Sequence, residues 1–384
     1  MKRDYRIIIS GGGTGGHIFP ALSIADAIKN IQPNAEILFV GADNRMEMQR
    51  VPEAGYKIVG LPIAGFNRKQ LWKNIKVLWL ILKSQRRAKK VIKEFKPQVV
   101  VGVGGYASGP TLKMAAQMDI PTIIQEQNSY AGVTNKLLSK NAKMICVAYE
   151  GMERFFPHEK LKLTGNPVRN TLLARASSRD EAIQNMGLDL QKKCVLIVGG
   201  SLGARSMNES VLSNLEQIKA NKDIQFIWQT GKFYFEEIQQ RIEQVGKPDN
   251  LIFTDFISNM ADALAAADLV VSRAGAGSIS EFALLGKAVI LVPSPNVSED
   301  HQTKNAMALV DKEAAIHVSD ATAKETLIDK AIETVNDKEK LETLSTNIKK
   351  MAKPNAAQEI AEQVLIFADA FIEKETRRKK ENIK

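Results

Sequence analysis

Residues 6–17 read RIIISGGGTGGH and residues 194–204 read CVLIVGGSLGA. Each is a short aliphatic, largely β-branched run that stops at a glycine-rich turn, and a helical pattern follows each. Strand, glycine loop and helix in that order open a parallel α/β unit. The motif occurs at the start of the chain and again past its middle, so the second half restarts the logic of the first. Further strands are expected at 36–40, 98–103, 122–125 and 143–147, and then at 225–229, 251–254, 269–272, 289–292 and 315–318. The reading is an α/β protein of two doubly wound, Rossmann-like domains facing a cleft. Ligands collect at the carboxyl ends of the strands in such sheets. The boundary is expected near Gly165–Pro167, giving domains at 1–165 and 166–355. Residues 356–384 form a terminal helix and basic tail that could pack on either domain.

The 384 residues exceed one ordinary core, which agrees with two domains. Hydrophobic residues at 44% and charged residues at 25% argue for a globular chain and against long disorder. Cys146 and Cys194 lie in apolar runs and read as buried thiols. The N-terminal apolar run is too short for a signal peptide, and no run approaches the ~20 residues that span a bilayer. The net charge of +10 is concentrated. Eleven basic residues and no acidic ones lie between Ala54 and Lys93, and without them 42 basic residues face 43 acidic ones. Within 66–95, Leu71, Ile75, Leu78 and Leu82 share a helical face, and Trp72 and Trp79 stand one heptad apart. That combination predicts a helix resting on anionic lipid. A core helix with solvated charges is the plainer reading. Nucleic acid is disfavoured because no nucleic-acid motif accompanies the charge.

The loop Gly11–His17 lets backbone amides approach an anion or sugar. Gly11, Gly13 and Gly16 also satisfy GxGxxG, and Asp43 follows the second strand, so a nicotinamide or flavin enzyme is a rival. A second glycine loop, Gly102–Pro110, is one that a single dinucleotide site does not need, and two such loops suit a pyrophosphate-bearing acceptor. His17, at the helix start, is placed to act as a general base at neutral pH. In the second domain Ser201 offers a hydroxyl to phosphate. The stretch 272–281, SRAGAGSISE, offers amides and hydroxyls to a diphosphate, with Glu281 expected in the first helical turn and able to take both hydroxyls of a ribose. Arg169 would place a cation at the domain junction. No Asp-x-Asp pair or metal-spaced His/Cys cluster occurs, so helix dipoles, amides and arginine would neutralise a leaving diphosphate, with no metal and no cofactor.

Taken together, GGGTGGHIFPALSIA, GVGGYASGP, EQNSYAGVTNK, TGNPVR, GGSLGA, SRAGAGSISE and HQTKNA resemble, in order, the peptidoglycan N-acetylglucosaminyltransferase (MurG) family from about Ile7 to about Ala357. The resemblance implies a glycosyltransferase-B fold with UDP-N-acetylglucosamine as donor and undecaprenyl-pyrophosphoryl-muramyl-pentapeptide (lipid I) as acceptor. It implies an inverting transfer that gives a β-1,4 link and lipid II. It also implies a peripheral position on the cytoplasmic face of the inner membrane, and a role in cell-wall biogenesis, cell shape and division. By motif, Thr14, Gly15, Gly16 and Asn128 border the sugar site, and Arg169 and Ser201 face the donor diphosphate. Ile257 meets uracil through its backbone, and Ala276, Gly277, Ser278, Ile279, Ser280 and Glu281 wrap the phosphates and ribose. Gln302 bonds hexose hydroxyls, and His17 is the candidate base. Some members carry paired glutamines where this chain has His301-Gln302. The expected reaction is a direct displacement in which domain closure excludes water. A hydrolysing UDP-N-acetylglucosamine 2-epimerase and a non-catalytic nucleotide-sugar binder are the remaining alternatives.

Overall fold

The computed structural model describes residues 4–63, 74–168, 178–200 and 202–382. The chain divides into two compact units, Met1–Arg169 with Lys353–Lys384, and Asn170–Ala352. Arg169, Ser201, Leu71 and Trp72 lie outside the described residues.

The first unit is built on the strands β1 (Arg6–Ser10), β2 (Glu36–Ala42), β3 (Lys57–Leu61), β4 (Val99–Gly102), β5 (Thr122–Glu126), β6 (Met144–Val147) and β7 (Leu161–Leu163). Its described helices before the chain leaves the unit are α1 (Gly15–Ile31), α2 (Glu47–Glu53), α3 (Asn74–Phe95), α4 (Ser108–Gln117) and α5 (Val133–Ser139). The seven strands pair in parallel in the order β3-β2-β1-β4-β5-β6-β7. The Ile7-Ile8-Ile9 run is fully buried because the central strand is covered on both faces. Period-two alternation sends Ile7 and Ile9 into the cluster with α1, and Ile8 into the one with α3 and α4. Strand order reverses between β1 and β4, so the loops after these two strands meet at the switch point. They interlock through glycine. A Cβ on Gly105, whose φ is +81°, would stand 2.3 Å from the Gly12 carbonyl oxygen.

The second unit carries β8 (Lys193–Val198), β9 (Ile224–Gln229), β10 (Leu251–Thr254), β11 (Leu269–Ser272), β12 (Ala288–Leu291) and β13 (Ile316–His317). They form a parallel sheet ordered β10-β9-β8-β11-β12-β13. Its described helices are α6 (Arg179–Asn185), α7 (Arg205–Ser213), α8 (Leu215–Ala220), α9 (Phe235–Val245), α10 (Met260–Ala266), α11 (Ala276–Leu285), α12 (His301–Val310), α13 (Ala323–Asn336) and α14 (Lys338–Lys350). The switch point lies between β8 and β11, in front of α11.

The terminal helix α15 (Ala356–Glu381) joins the first unit and packs on α1. Its buried Ile360, Ala361, Val364, Leu365 and Ala368 form one stripe, and Tyr5 Oη donates to Asp369 Oδ1 at 2.9 Å beside it. Sequence left the choice of domain open, and the structure settles it. Cys146 and Cys194 are fully buried free thiols, and burial pushes both up to about 12.

Candidate active site

Thr14, Gly15, Gly16 and His17 sit together where β1 hands over to α1. Thr14 is the extended N-cap, its side chain makes no cap bond, and no acid occupies the first turn. Pro20 has no N–H, so the i→i−4 bond to the Gly16 carbonyl is missing from the first turns of α1. The half-buried His17 ring places Nδ1 3.1 Å from the Gly12 carbonyl and 3.3 Å from Thr14 Oγ1. A carbonyl can only accept, so Nδ1 carries the proton and Nε2 keeps the lone pair. Burial lowers the imidazole pKa below its ordinary value of 6.5, outweighing the opposing effects of Glu126, the Gly12 bond and Glu47. His17 is therefore neutral at pH 7.

Two buried carboxylates that sequence reading passed over organise this end of the sheet. Glu47 accepts from the Gly13 amide at 2.9 Å and the Ala42 amide at 3.0 Å, so it fixes the first glycine loop to β2. That carboxylate already occupies an amide which a dinucleotide pyrophosphate would use, and Asp43 pairs with Arg87 at 3.4 Å. Both observations weaken the nicotinamide alternative. Glu126 accepts from the Asn128 amide at 3.1 Å, Asn128 Nδ2 at 3.2 Å, the Gly132 amide at 2.9 Å and Asn135 Nδ2 at 2.9 Å. It thus fixes Asn128 and acts electrostatically on His17. Beneath them, Gln127 donates to the Val103 carbonyl at 2.7 Å, and Asn166 donates to the Gln127 carbonyl at 3.0 Å. The second glycine loop and the TGNP segment are tied to the same strand end.

In the second unit, Ile257, Ala276–Glu281 and Gln302 follow β10, β11 and β12 at the carboxyl edge of the sheet. Ile257 is buried. The N-terminus of α11 follows the extended Gly275, with no side-chain cap and no acid in the first turn. The helix begins at Ala276, so Glu281 lies in its second turn and not in the first as expected. Ile279 packs into the core and Ser280 Oγ donates to the Ala276 carbonyl at 2.9 Å, so Gly277 and Ser278 present the more open positions. Gln302 Oε1 accepts from the Ser294 amide at 2.8 Å, which holds the side chain and leaves its NH2 to donate. The turn before α12 puts Glu299 and Asp300 at φ +56° and +53°, a strained pair for non-glycine residues. Arg273 is engaged elsewhere, with Asp320, Ser206 and the Val292 and Pro293 carbonyls.

Among the described residues no three His, Cys, Asp or Glu groups gather as metal ligands, and no helix is long and apolar enough to cross a membrane. Helix α3 buries Val77, Ser84, Ala88, Val91 and Ile92 and turns Leu78, Trp79 and Leu82 outward, each more than half exposed. Lys83 Nζ lies 5.2 Å from the Trp79 ring centroid.

The Glycosyltransferase family 28 N-terminal domain matches residues 7–147, and the Glycosyltransferase family 28 C-terminal domain matches residues 194–362. A UDP-N-acetylglucosamine--N-acetylmuramyl-(pentapeptide) pyrophosphoryl-undecaprenol N-acetylglucosamine transferase from Phocaeicola vulgatus is 64% identical, over 97% of this chain and 98% of its own. The Bacteroides thetaiotaomicron protein of that name is 61% identical over 96% and 100%. The crystal structure of Acinetobacter baumannii MurG superposes with a TM-score of 0.76 at 30% identity, covering 94% and 99% of the two chains. A Neisseria meningitidis UDP-GlcNAc 2-epimerase bound to UDP-GlcNAc reaches 0.66 at 16% identity over 94% and 100%, which shows a shared fold alone.

Proposed function

This chain belongs to glycosyltransferase family 28, and from that premise we propose that it moves N-acetylglucosamine from UDP-N-acetylglucosamine to undecaprenyl-pyrophosphoryl-muramyl-pentapeptide, forming lipid II. The His17 ring carries the mechanistic part of the reading. With Nδ1–H on the Gly12 carbonyl, Nε2 accepts the proton of the acceptor hydroxyl as its oxygen attacks the anomeric carbon. The bond to UDP breaks on the opposite side, the electron pair leaves with the diphosphate, and the configuration inverts to a β link. Asn128, held by Glu126, and the helix start at Thr14–Gly16 orient the acceptor.

The donor role falls to the second unit. The acid-free first turn of α11 receives the diphosphate on its amides and on Ser278, while Glu281 takes the ribose hydroxyls. The Ile257 backbone reads uracil and the Gln302 NH2 meets the hexose. Arg169 and Ser201 belong to the diphosphate site by motif. The outward Leu78, Trp79 and Leu82 of α3, beside Lys83 and Arg86, support peripheral binding to anionic lipid at the cytoplasmic face of the membrane.

The deciding experiment follows radiolabelled sugar from UDP-N-acetylglucosamine to a lipid I analogue with EDTA present. Wild type should yield lipid-linked product, and His17→Ala should lose on the order of 10²–10⁴ in kcat. Donor binding without transfer in the wild type would point to an epimerase or a non-catalytic binder.

A further inference from the structure

Two residues beyond Asn128, the chain builds a cluster of cations and rings that the transfer chemistry above does not use. Tyr130 and Phe155 meet edge to face with centroids 4.7 Å apart. Lys136 Nζ stands 4.8 Å from the Tyr130 centroid and 5.6 Å from that of Phe155. The Arg154 guanidinium lies 4.8 Å from the Phe155 centroid, and its Nη2 donates to the Ser129 carbonyl at 2.9 Å. Among the described residues no carboxylate lies within ion-pair distance of Lys136 or Arg154. Two positive charges are thus held in place by ring faces and one carbonyl, with no carboxylate partner among the described residues, next to the loop that carries Asn128. Ring contact fixes a cation without neutralising it, so an incoming anion meets a charge already ordered.

We propose that Lys136 and Arg154 form a subsite for an anionic group of the acceptor, either its pyrophosphate or a carboxylate of its peptide. The proposal rests on the transferase reading above and adds a determinant of acceptor choice.

The test uses the full chain and a short-chain, detergent-soluble lipid I analogue. Lys136→Gln and Arg154→Gln should each raise the acceptor KM by about tenfold, with the donor KM and kcat held, and Lys136→Arg should restore most of the loss. A second analogue, with its peptide carboxylates converted to amides, identifies the anion. Equal losses on both analogues assign the pyrophosphate, and a loss confined to the carboxylate form assigns the peptide. An unchanged acceptor KM in the double variant overturns the proposal. So does a defect seen only when the acceptor is presented in phosphatidylglycerol vesicles, which would assign the cations to lipid. Failure of wild type to use any muramyl acceptor would instead sink the transferase reading.

Discussion

At the scale of single residues, the site depends on groups that hold other groups. Burial keeps the folded pKa of His17 below 6.5, so kcat/KM should climb through that lower pKa and level off at neutral pH. A pH–rate profile checks this, and an acid limb centred above 6.5 would contradict it. The unfolded chain takes up a proton at His17 before the folded chain does, so His17 contributes a stability that rises with pH between the folded pKa and 6.5 and is complete above it. Glu126 has two oxygens facing four N–H donors. Glu126→Gln would turn an NH2 toward two of them, leaving buried donors unmatched at a cost of about 1–3 kcal/mol. Urea unfolding should register that loss, and kcat should fall by roughly one to two orders of magnitude as Asn128 loses its anchor. The placement of His17 at the start of α1 was legible in the sequence because it directly follows a strand and a glycine loop. Glu47 and Glu126 were not, since their partners are backbone amides whose proximity exists only after folding. Glu126 did stand inside a recognised motif, and an acid between a buried strand and an Asn-bearing loop was the available signal.

At the scale of elements, the start of α11 shows how binding and stability can diverge. Ser278→Asp would place a carboxylate in a first turn that has none, stabilising the helix by about 0.3–1 kcal/mol through its dipole. The same charge would repel a diphosphate, so the melting temperature should rise while the KM for UDP-N-acetylglucosamine increases at least tenfold. A donor KM left at the wild-type value would remove the diphosphate from this helix. On α3, Trp79→Glu should weaken binding to phosphatidylglycerol vesicles severalfold in a sedimentation assay while sparing turnover of a detergent-soluble acceptor. Eleven strands were readable because aliphatic runs such as Ile7–Ile9 and Val99–Val101 are buried on both faces and carry no competing pattern. The other two were not. β3 reads KIVGL, with a glycine inside it and a cation at its start, and β7 is the three-residue edge strand LKL. Glu281 was placed one turn too early because Arg273, Ala274 and Gly275 precede the helix instead of opening it.

At the scale of the whole molecule, the first unit is assembled from both ends of the chain. Ile360, Val364 and Leu365 of α15 each contribute roughly 1.5–3 kcal/mol by burial. A fragment of residues 170–352 should therefore fold and bind UDP alone. A fragment of residues 1–169 should unfold at much lower urea, and joining 169 to 353–384 through a flexible linker should recover it. Equal midpoints with and without the helix would refute this dependence. Sequence gave the two glycine loops that count the sheets, but nothing in the stripe of α15 named its partner, because an apolar helix face fits either unit. The arrangement also sets an order of events during translation. At roughly 5–20 residues per second, synthesis of residues 170–352 occupies about ten to forty seconds. For all of that time the nascent first unit carries an uncovered stripe on α1, a natural place for a chaperone to hold it. A premature stop codon between residues 353 and 365 would accordingly spare the part of the protein made second and damage the part made first.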